Sequence, residues 1–88
     1  MDQYNKLSIG QVVRSLKGRD AGKVAMVLDI IDSSYVLVVD GKRRTLEHPK
    51  KKKVKHLQPF NKILETEKIT NKKIRAMLRC YKTQKEEQ

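Results

Sequence analysis

The chain has little of what disulfide-bonded, metal-binding and membrane-spanning proteins require. Cys80 is the one cysteine among 88 residues, so an internal disulfide is excluded, and the two histidines have no metal-ligand spacing with it. A lone cysteine is typical of the reducing cytosol, and we expect a cytoplasmic protein. No stretch approaches the roughly 18 apolar residues of a membrane span. The N-terminus MDQYNKLSIG also lacks the pattern of a secretory signal, so no membrane partner is predicted.

Aromatic and acidic side chains are also scarce. There is no tryptophan, and Phe60, Tyr35 and Tyr81 are the aromatics in segments predicted to be ordered, where core packing explains them best. This scarcity argues against binding of single strands on aromatic platforms. Ten acidic residues face 21 basic ones, giving a net charge of +11 and a pI near 10.0. Such an excess attracts polyanions, because neutralised phosphates release condensed counterions, and it favours a monomer.

The excess positive charge is unevenly placed along the chain. Residues 1–41 carry five basic and five acidic side chains, whereas residues 42–60 carry eight and one, and residues 61–88 carry eight and four. The first segment therefore reads as scaffold. The densest basic stretch, residues 43–57, reads RRTLEHPKKKKVKHL and is framed by Leu46, Val54 and Leu57. Blocks of like charge are often flexible tails, but these apolar residues predict an element attached to a core.

The first sixty residues predict a small antiparallel barrel. Residues 9–16 and 35–39 have the β-branched content of strands, and residues 24–31 are so apolar that they predict a strand covered on both faces or a short buried helix, with length favouring the strand. Asp40-Gly41 is typical of a type I′ turn and predicts a fourth strand over residues 42–46. A barrel removes the edges of so few strands.

The remaining pattern predicts how the barrel ends. Pro49 should interrupt pairing because it has no N–H to donate. Residues 53–57 alternate well enough for a short fifth strand with Val54 facing inward, and Gln58-Pro59-Phe60 should then end the sheet.

In the last third of the sequence, the spacing of apolar residues changes from that of a strand to that of a helix. Ile74, Met77, Leu78 and Tyr81 lie on one face of a helix, for which Thr70 is a candidate N-cap. This stripe packs on the barrel or, as the alternative, binds a partner. At 88 residues only one compact body is expected. We therefore predict a mainly β fold, with the barrel in residues 1–60 and a linker and C-terminal amphipathic helix in residues 61–88, packed on or beside it.

No pattern in the sequence indicates catalysis. Ser15, Ser33, Ser34, His48 and His56 lack the context of a nucleophile elbow or triad. Gly18 and Gly22 are too close for a phosphate-binding loop of the Walker type and precede a strand instead of a helix. We predict no catalytic residue, no cofactor and no bound metal.

Two motifs resemble known families. The first runs Gly10-x-Val12-Val13 and then Gly18-Arg19-Asp20-x-Gly22-Lys23 before an apolar strand, and it resembles the KOW motif of ribosomal proteins and of NusG-type elongation factors. The second, from Tyr35 through Asp40-Gly41 to His56-Leu57, is similar to large-subunit ribosomal proteins of the fourteen-e type and their short stand-alone bacterial relatives. The resemblance covers residues 8–60 and implies an SH3-like barrel that binds RNA, most naturally ribosomal RNA. The C-terminal segment departs from the family, so its contacts there are not carried over.

The RNA-binding residues expected from this reading belong to two groups. The loop over residues 17–23 combines cations suited to phosphate with glycines that permit close approach. The basic stretch over residues 43–57 has more cations than can point in one direction. Asp20 orients Arg19, accepts a ribose hydroxyl or, as the alternative, bonds its own backbone in a turn. His56 stacks on a base or is a partly buried ring beside Leu57. The predicted set is Lys17, Gly18, Arg19, Asp20, Gly22, Lys23, Arg43, Arg44, Lys50, Lys51, Lys52, Lys53, Lys55 and His56.

The sequence thus predicts a non-catalytic protein that binds ribosomal RNA in the large subunit or during its assembly. The scarcity of aromatics favours recognition of folded RNA through its backbone and shape. An alternative is a protein-interaction module that tethers a ribosomal protein or RNA polymerase, in the manner of elongation-factor KOW domains. Non-specific binding of DNA is a third reading that the charge distribution does not separate from the others.

Overall fold

The computed structural model describes residues 7–86, with side chains up to residue 81. Residues 1–6 of the predicted barrel and the last two residues of the predicted C-terminal segment lie outside the described residues. Six regular elements and one short 3-10 helix occur in the described part. They are β1 (Gln11–Ser15), β2 (Val24–Ile30), β3 (Tyr35–Val39), β4 (Lys50–Lys53), the 3-10 helix (Val54–His56), β5 (Leu57–Ile63) and α1 (Asn71–Glu86).

The strands form one antiparallel sheet in the order β4-β3-β2-β1-β5. β4 and β5 therefore lie at opposite edges, yet only the three residues of the 3-10 helix join them. A flat sheet would separate these edges by about 19 Å, given about 4.8 Å between strands, whereas four residue steps span about 14 Å at most. The sheet must therefore curl until its edges approach each other. This confirms the predicted mainly β fold, an SH3-like barrel with one C-terminal helix.

Both faces of the sheet are covered by apolar packing. Neighbouring residues along a strand point to opposite faces, and Val12 and Val13 accordingly belong to different clusters. The cluster inside the barrel contains Leu7, Val13, Val27, Val36, Val38, Val54 and Leu57. The second cluster contains Val12, Val24, Met26, Val39, Leu64, Ile74 and Leu78. Coverage on both sides explains the nearly continuous apolar run of β2, as the sequence predicted.

α1 covers the second face. The Thr70 hydroxyl accepts a hydrogen bond from the Lys73 N–H at 3.2 Å, which confirms Thr70 as the N-cap. Ile74 and Leu78 are fully buried against the sheet. Tyr81 meets Phe60 edge to face, with ring centroids 5.4 Å apart. The predicted apolar stripe therefore packs on the sheet of its own chain.

The predicted fourth strand over residues 42–46 is wrong. The Asp40 carboxylate accepts hydrogen bonds from the backbone N–H groups of Lys42 and Arg44 at 2.8 and 2.9 Å, which closes the chain on itself. A β-carbon at Gly41 would also collide with the backbone carbonyl of Asn71, at the start of α1. The segment between Val39 and β4 is consequently a loop, which we call the 40–49 loop, and β4 begins only after Pro49.

The predicted end of the sheet is also wrong. Residues 54–56 form the 3-10 helix instead of a strand, although Val54 faces the core as expected. β5 then continues to Ile63, beyond the predicted stop at Gln58-Pro59-Phe60. Pro59 is tolerated because β5 is an edge strand that pairs only with β1 in the described sheet.

Candidate nucleic-acid interface

The four lysines of β4 point in two directions. Lys50 and Lys52 lie opposite Val38 and Val36, which are buried inside the barrel, and cross-strand partners share a face. Lys51 and Lys53 therefore lie on the outer face, where both are exposed. The Lys52 side chain is 13% exposed. The run of identical residues thus supplies two distinct surfaces, in line with the expectation that its cations outnumber the positions that point one way.

Asp20 joins the glycine loop, residues 17–23, to β4. Its carboxylate lies 3.7 Å from Lys52 Nζ and 4.0 Å from Arg44 Nη2, and the Asp20 side chain is 17% exposed. A β-carbon on Gly18 would lie 3.9 Å from Lys52 Nζ. Gly18 and Gly22 both have positive φ, which permits the tight course of this loop. Among the residues with described side chains, the Asp20 carboxylate pairs with Lys52 and Arg44, and it contacts neither Arg19 nor its own backbone.

His56 brings the 3-10 helix beside the same loop. The backbone carbonyl of His56 accepts a hydrogen bond from the Leu16 N–H at 2.8 Å. Burial lowers the pKa of the His56 imidazole, and the positive charges of Lys17, Lys53, Lys55 and Lys52 lower the same pKa further. Both effects favour the neutral imidazole, and His56 as a whole is partly buried.

The 40–49 loop carries Arg43 and Arg44 and is attached to α1. Arg75 Nη1 donates a hydrogen bond to the Gly41 carbonyl at 2.7 Å. Asn71 Oδ1 accepts one from the Leu46 N–H at 2.8 Å, while Asn71 Nδ2 donates to Glu47 Oε1 at 3.1 Å. The hydrogen bond from Asn71 lowers the pKa of the Glu47 carboxyl. Sequence reasoning missed this attachment, because no short-range pattern links residue 46 to residue 71.

The structure brings together part of the predicted set. Contacts of Asp20 and Lys52 and the charges around His56 connect eight of these residues, which we call the basic face: Lys17, Gly18, Asp20, Arg44, Lys52, Lys53, Lys55 and His56. Gly22 helps to shape its loop. Arg19, Lys23 and Arg43 are exposed in their loops, and within the described residues no ion pair or hydrogen bond joins their side chains to the basic face. Lys50 lies on the side of β4 that Lys52 shares, and Lys51 lies on the other.

Tyr35 does not pack in the core, contrary to the sequence expectation. It belongs to neither apolar cluster, and the Lys51 ammonium lies 4.5 Å from the centroid of its ring. The sequence contained a signal for this position, because alternation along Tyr35–Val39 places Tyr35 on the face of the strand opposite to buried Val36 and Val38. Phe60 and Tyr81 do pack against the second apolar cluster.

The described residues contain neither a candidate metal site nor a membrane-spanning helix. Among the residues that the structure describes, no group of three or more histidine, cysteine, aspartate or glutamate side chains is placed to hold a metal ion. No helix in the described part is long and apolar enough to span a membrane.

The sequence is similar to those of several large ribosomal subunit proteins. No protein-family model matches the chain. Large ribosomal subunit protein eL14 of Pyrobaculum neutrophilum is 34% identical over 62 residues, which are 70% of this chain and 60% of the relative. The eL14 proteins of Pyrobaculum arsenaticum and Sulfolobus acidocaldarius are 36% and 34% identical over 67% and 70% of this chain, covering 57% and 65% of their own lengths. The chain resembles eL14.

This similarity confirms the predicted resemblance to large-subunit ribosomal proteins of the fourteen-e type. The match spans about 60% of the length of the eL14 of Pyrobaculum neutrophilum, so this chain covers less than two thirds of it. At most 62 of the 88 residues are aligned with these eL14 proteins.

Proposed function

We propose that this chain is a non-catalytic RNA-binding protein that acts, as a cytoplasmic monomer, in the large ribosomal subunit or in its assembly. One observation carries the proposal. The glycine loop is held against β4 by the ion pair between Asp20 and Lys52, so that residues from three separate segments form the basic face. The resemblance to large ribosomal subunit protein eL14 supports ribosomal RNA as the polyanion.

The basic face suits the backbone of folded RNA. Lysine ammonium groups act as compact charges toward phosphate, and the Arg44 guanidinium offers a planar fork. Asp20 offsets part of the charge of Lys52 and Arg44 and orients both cations. Lys53 and Lys55 are exposed and therefore accessible to phosphate oxygens. Recognition then depends on shape and backbone, as is usual for double-stranded RNA.

The test is a salt series with a structured fragment of large-subunit ribosomal RNA. If roughly five phosphates are neutralised, the logarithm of affinity should fall with the logarithm of salt concentration with a slope of about −4. The double variant Lys53→Ala/Lys55→Ala should flatten this slope by about 1.5 and bind more weakly. The matched control, Lys62→Ala/Lys68→Ala, removes the same charge elsewhere and should flatten it less. Equal slopes for the two double variants would contradict the proposal.

Ribosome association is tested separately. On a sucrose gradient, the tagged protein should sediment with the large subunit or its precursors, and ribonuclease should release it. Sedimentation with the small subunit alone would contradict the assignment to the large subunit even if RNA binding is retained.

A groove beside α1 supports the second candidate, a module that binds a ribosomal protein or RNA polymerase. The groove has a volume of about 780 Å³, and Ile63, one of its lining residues, is 55% exposed. The lining residues are Lys62, Ile63, Leu64, Glu65, Ala76, Met77, Cys80 and Tyr81. Co-purification of such a partner that survives nuclease and high salt, and is lost in Ile63→Asp, would favour this candidate over RNA binding.

A further inference from the structure

A second concave site lies beside the β2–β3 turn, and its lining includes Lys53 and Lys55 of the predicted RNA-binding set. Its volume is about 290 Å³, at the lower end of the range for small-ligand sites, about 300–1,000 Å³. The β2–β3 turn forms one wall and the junction of β4 with the 3-10 helix forms the other. The lining residues are Ser33, Ser34, Tyr35, Lys53, Val54 and Lys55.

The two walls of this cavity are fixed before any ligand binds. The Val54 N–H donates a hydrogen bond to the Ser34 carbonyl at 2.8 Å and so joins them. The Asp32 carboxylate accepts hydrogen bonds from the N–H groups of Ser34 and Tyr35 at 2.7 and 2.8 Å, which sets the turn. Val54 is itself buried in the barrel. A ligand therefore meets a preformed site and pays little ordering entropy.

The lining offers three kinds of contact. Lys53 and Lys55 supply positive charge at exposed positions. Ser33 and Ser34 supply hydroxyl groups that have no hydrogen-bond partner among the residues with described side chains. Tyr35 supplies an aromatic ring outside both apolar clusters, directly opposite Lys53 in the register of β3 and β4. An anion, hydrogen-bonding groups and a flat ring in one ligand match these contacts, and that combination is a nucleotide.

We propose that this cavity holds one unpaired nucleotide of the bound RNA. Lys53 and Lys55 contact its phosphate, its base packs against the Tyr35 ring, and the serine hydroxyls bond to the ribose or the base edge. The inference rests on the proposed RNA-binding function and deepens it. The 3-10 helix supports it, because Lys55 lines the cavity and lies near His56, where Lys17 and Lys52 continue the positive charge onto the basic face. One strand of RNA can therefore follow both.

The proposal predicts a preference for RNA with an unpaired nucleotide. Two hairpins of the same stem sequence are compared by fluorescence anisotropy at one salt concentration, one fully paired and one with a single-nucleotide bulge. The protein should bind the bulged hairpin about tenfold more tightly, since stacking a base on an aromatic ring contributes about 1–3 kcal/mol. Tyr35→Leu should lose this preference while binding the paired hairpin as before. Tyr35→Phe, the matched control, should keep it.

Different results would contradict the cavity assignment and the RNA-binding function. Equal binding of both hairpins by the unaltered protein, or a preference that survives in Tyr35→Leu, would overturn the cavity assignment and leave RNA binding intact. Binding of neither hairpin would overturn both proposals. Tight binding of free nucleoside monophosphates without RNA would overturn the assignment of the occupant to RNA.

A second measurement needs no variant and so does not depend on the folding of Tyr35→Leu. The bulged nucleotide is replaced by 4-thiouridine, the complex is irradiated, and the crosslinked peptide is identified by mass spectrometry. Crosslinks should fall on residues 33–35 or 53–55. Crosslinks confined to the 40–49 loop or to the glycine loop would overturn the proposal.

Discussion

The surroundings of His56 favour its neutral form, and bound RNA should favour the protonated form. Burial and then the charges of Lys17, Lys53, Lys55 and Lys52 lower its pKa below the ordinary value. Phosphates placed beside the ring would raise the pKa again, so binding takes up a proton. RNA affinity should therefore rise as the pH falls from about 7.5 to about 5.5, the range around the reference histidine pKa. Fluorescence anisotropy at constant ionic strength measures this.

The free protein should respond to pH in the opposite direction. Its folded state binds fewer protons at residue 56 than the unfolded chain does, because the folded pKa is lowered. The stability that the neutral ring provides is therefore complete above the unfolded pKa and is lost as the pH falls toward the folded one. His56→Gln should remove both trends, while His48→Gln, the control, should keep them. An RNA affinity independent of pH in the unaltered protein would contradict this role of His56.

Val54 and Lys55 are neighbours with opposite roles. Val54 is 7% exposed and belongs to the cluster inside the barrel, whereas Lys55 is exposed. Val54→Asp should unfold the protein, because a carboxylate without a partner costs several kcal/mol to bury. Lys55→Asp, the matched control, should weaken RNA binding and shift the melting temperature little. Thermal unfolding followed by circular dichroism distinguishes them, and a Val54→Asp protein that melts like the unaltered one would contradict the packing described.

At the scale of elements, α1 holds the 40–49 loop through Asn71. Asn71→Ala should leave the Leu46 N–H and the Glu47 carboxylate without their partner, at a cost of about 1 kcal/mol. Amides of the loop should then exchange hydrogen faster, and RNA affinity should fall although no charge is lost. Hydrogen exchange with mass spectrometry measures the first effect.

Thr70→Ala is the control for the attachment of the loop. It removes the cap of the Lys73 N–H, which costs about 1 kcal/mol as well, but it leaves both loop contacts in place. Loop exchange should then stay close to that of the unaltered protein. If both variants accelerate loop exchange equally, the effect belongs to the stability of α1 and Asn71 has no particular role.

The elements differ in how far their sequence determines them. β1, β2 and β3 were predicted because β-branched residues and short turns act over a few positions, and α1 because its stripe repeats every three or four residues. The 40–49 loop was not predictable in this way. Its course depends on the Asp40 carboxylate, which replaces a ladder of hydrogen bonds, and on Asn71, which is 25 residues from Leu46.

The candidate site was predictable to the same extent. The local density of lysine and glycine was enough to select the glycine loop and residues 50–53 as candidates, although it did not predict that residues 50–53 form a strand. The geometry of the site depends on contacts between distant segments, such as Asp20 with Lys52. The exposed position of Tyr35 was not predicted, because the apolar residues of β3 indicate core packing unless their alternation is taken into account.

At the scale of the whole molecule, the barrel and α1 share one apolar cluster and should unfold together. Leu78 of α1 is fully buried with Val12, Met26 and Val39 of the sheet. Leu78→Ala should lower the free energy of unfolding by about 2–5 kcal/mol, through lost burial and the cavity left behind. Because a chain of this size has little stability in reserve, the melting temperature should fall by many degrees in a single transition.

Because the sheet and α1 share this cluster, hydrogen exchange should show whether they unfold together. In Leu78→Ala, amides of β2 should lose protection from hydrogen exchange together with those of α1, because the sheet loses its cover on that face. Lys72→Ala, an exposed position on the same helix, serves as control and should change neither. Loss of protection in α1 alone, with β2 and the melting of the sheet unchanged, would show that the barrel is stable without its helix. α1 would then be an appendage and no part of the cooperative core.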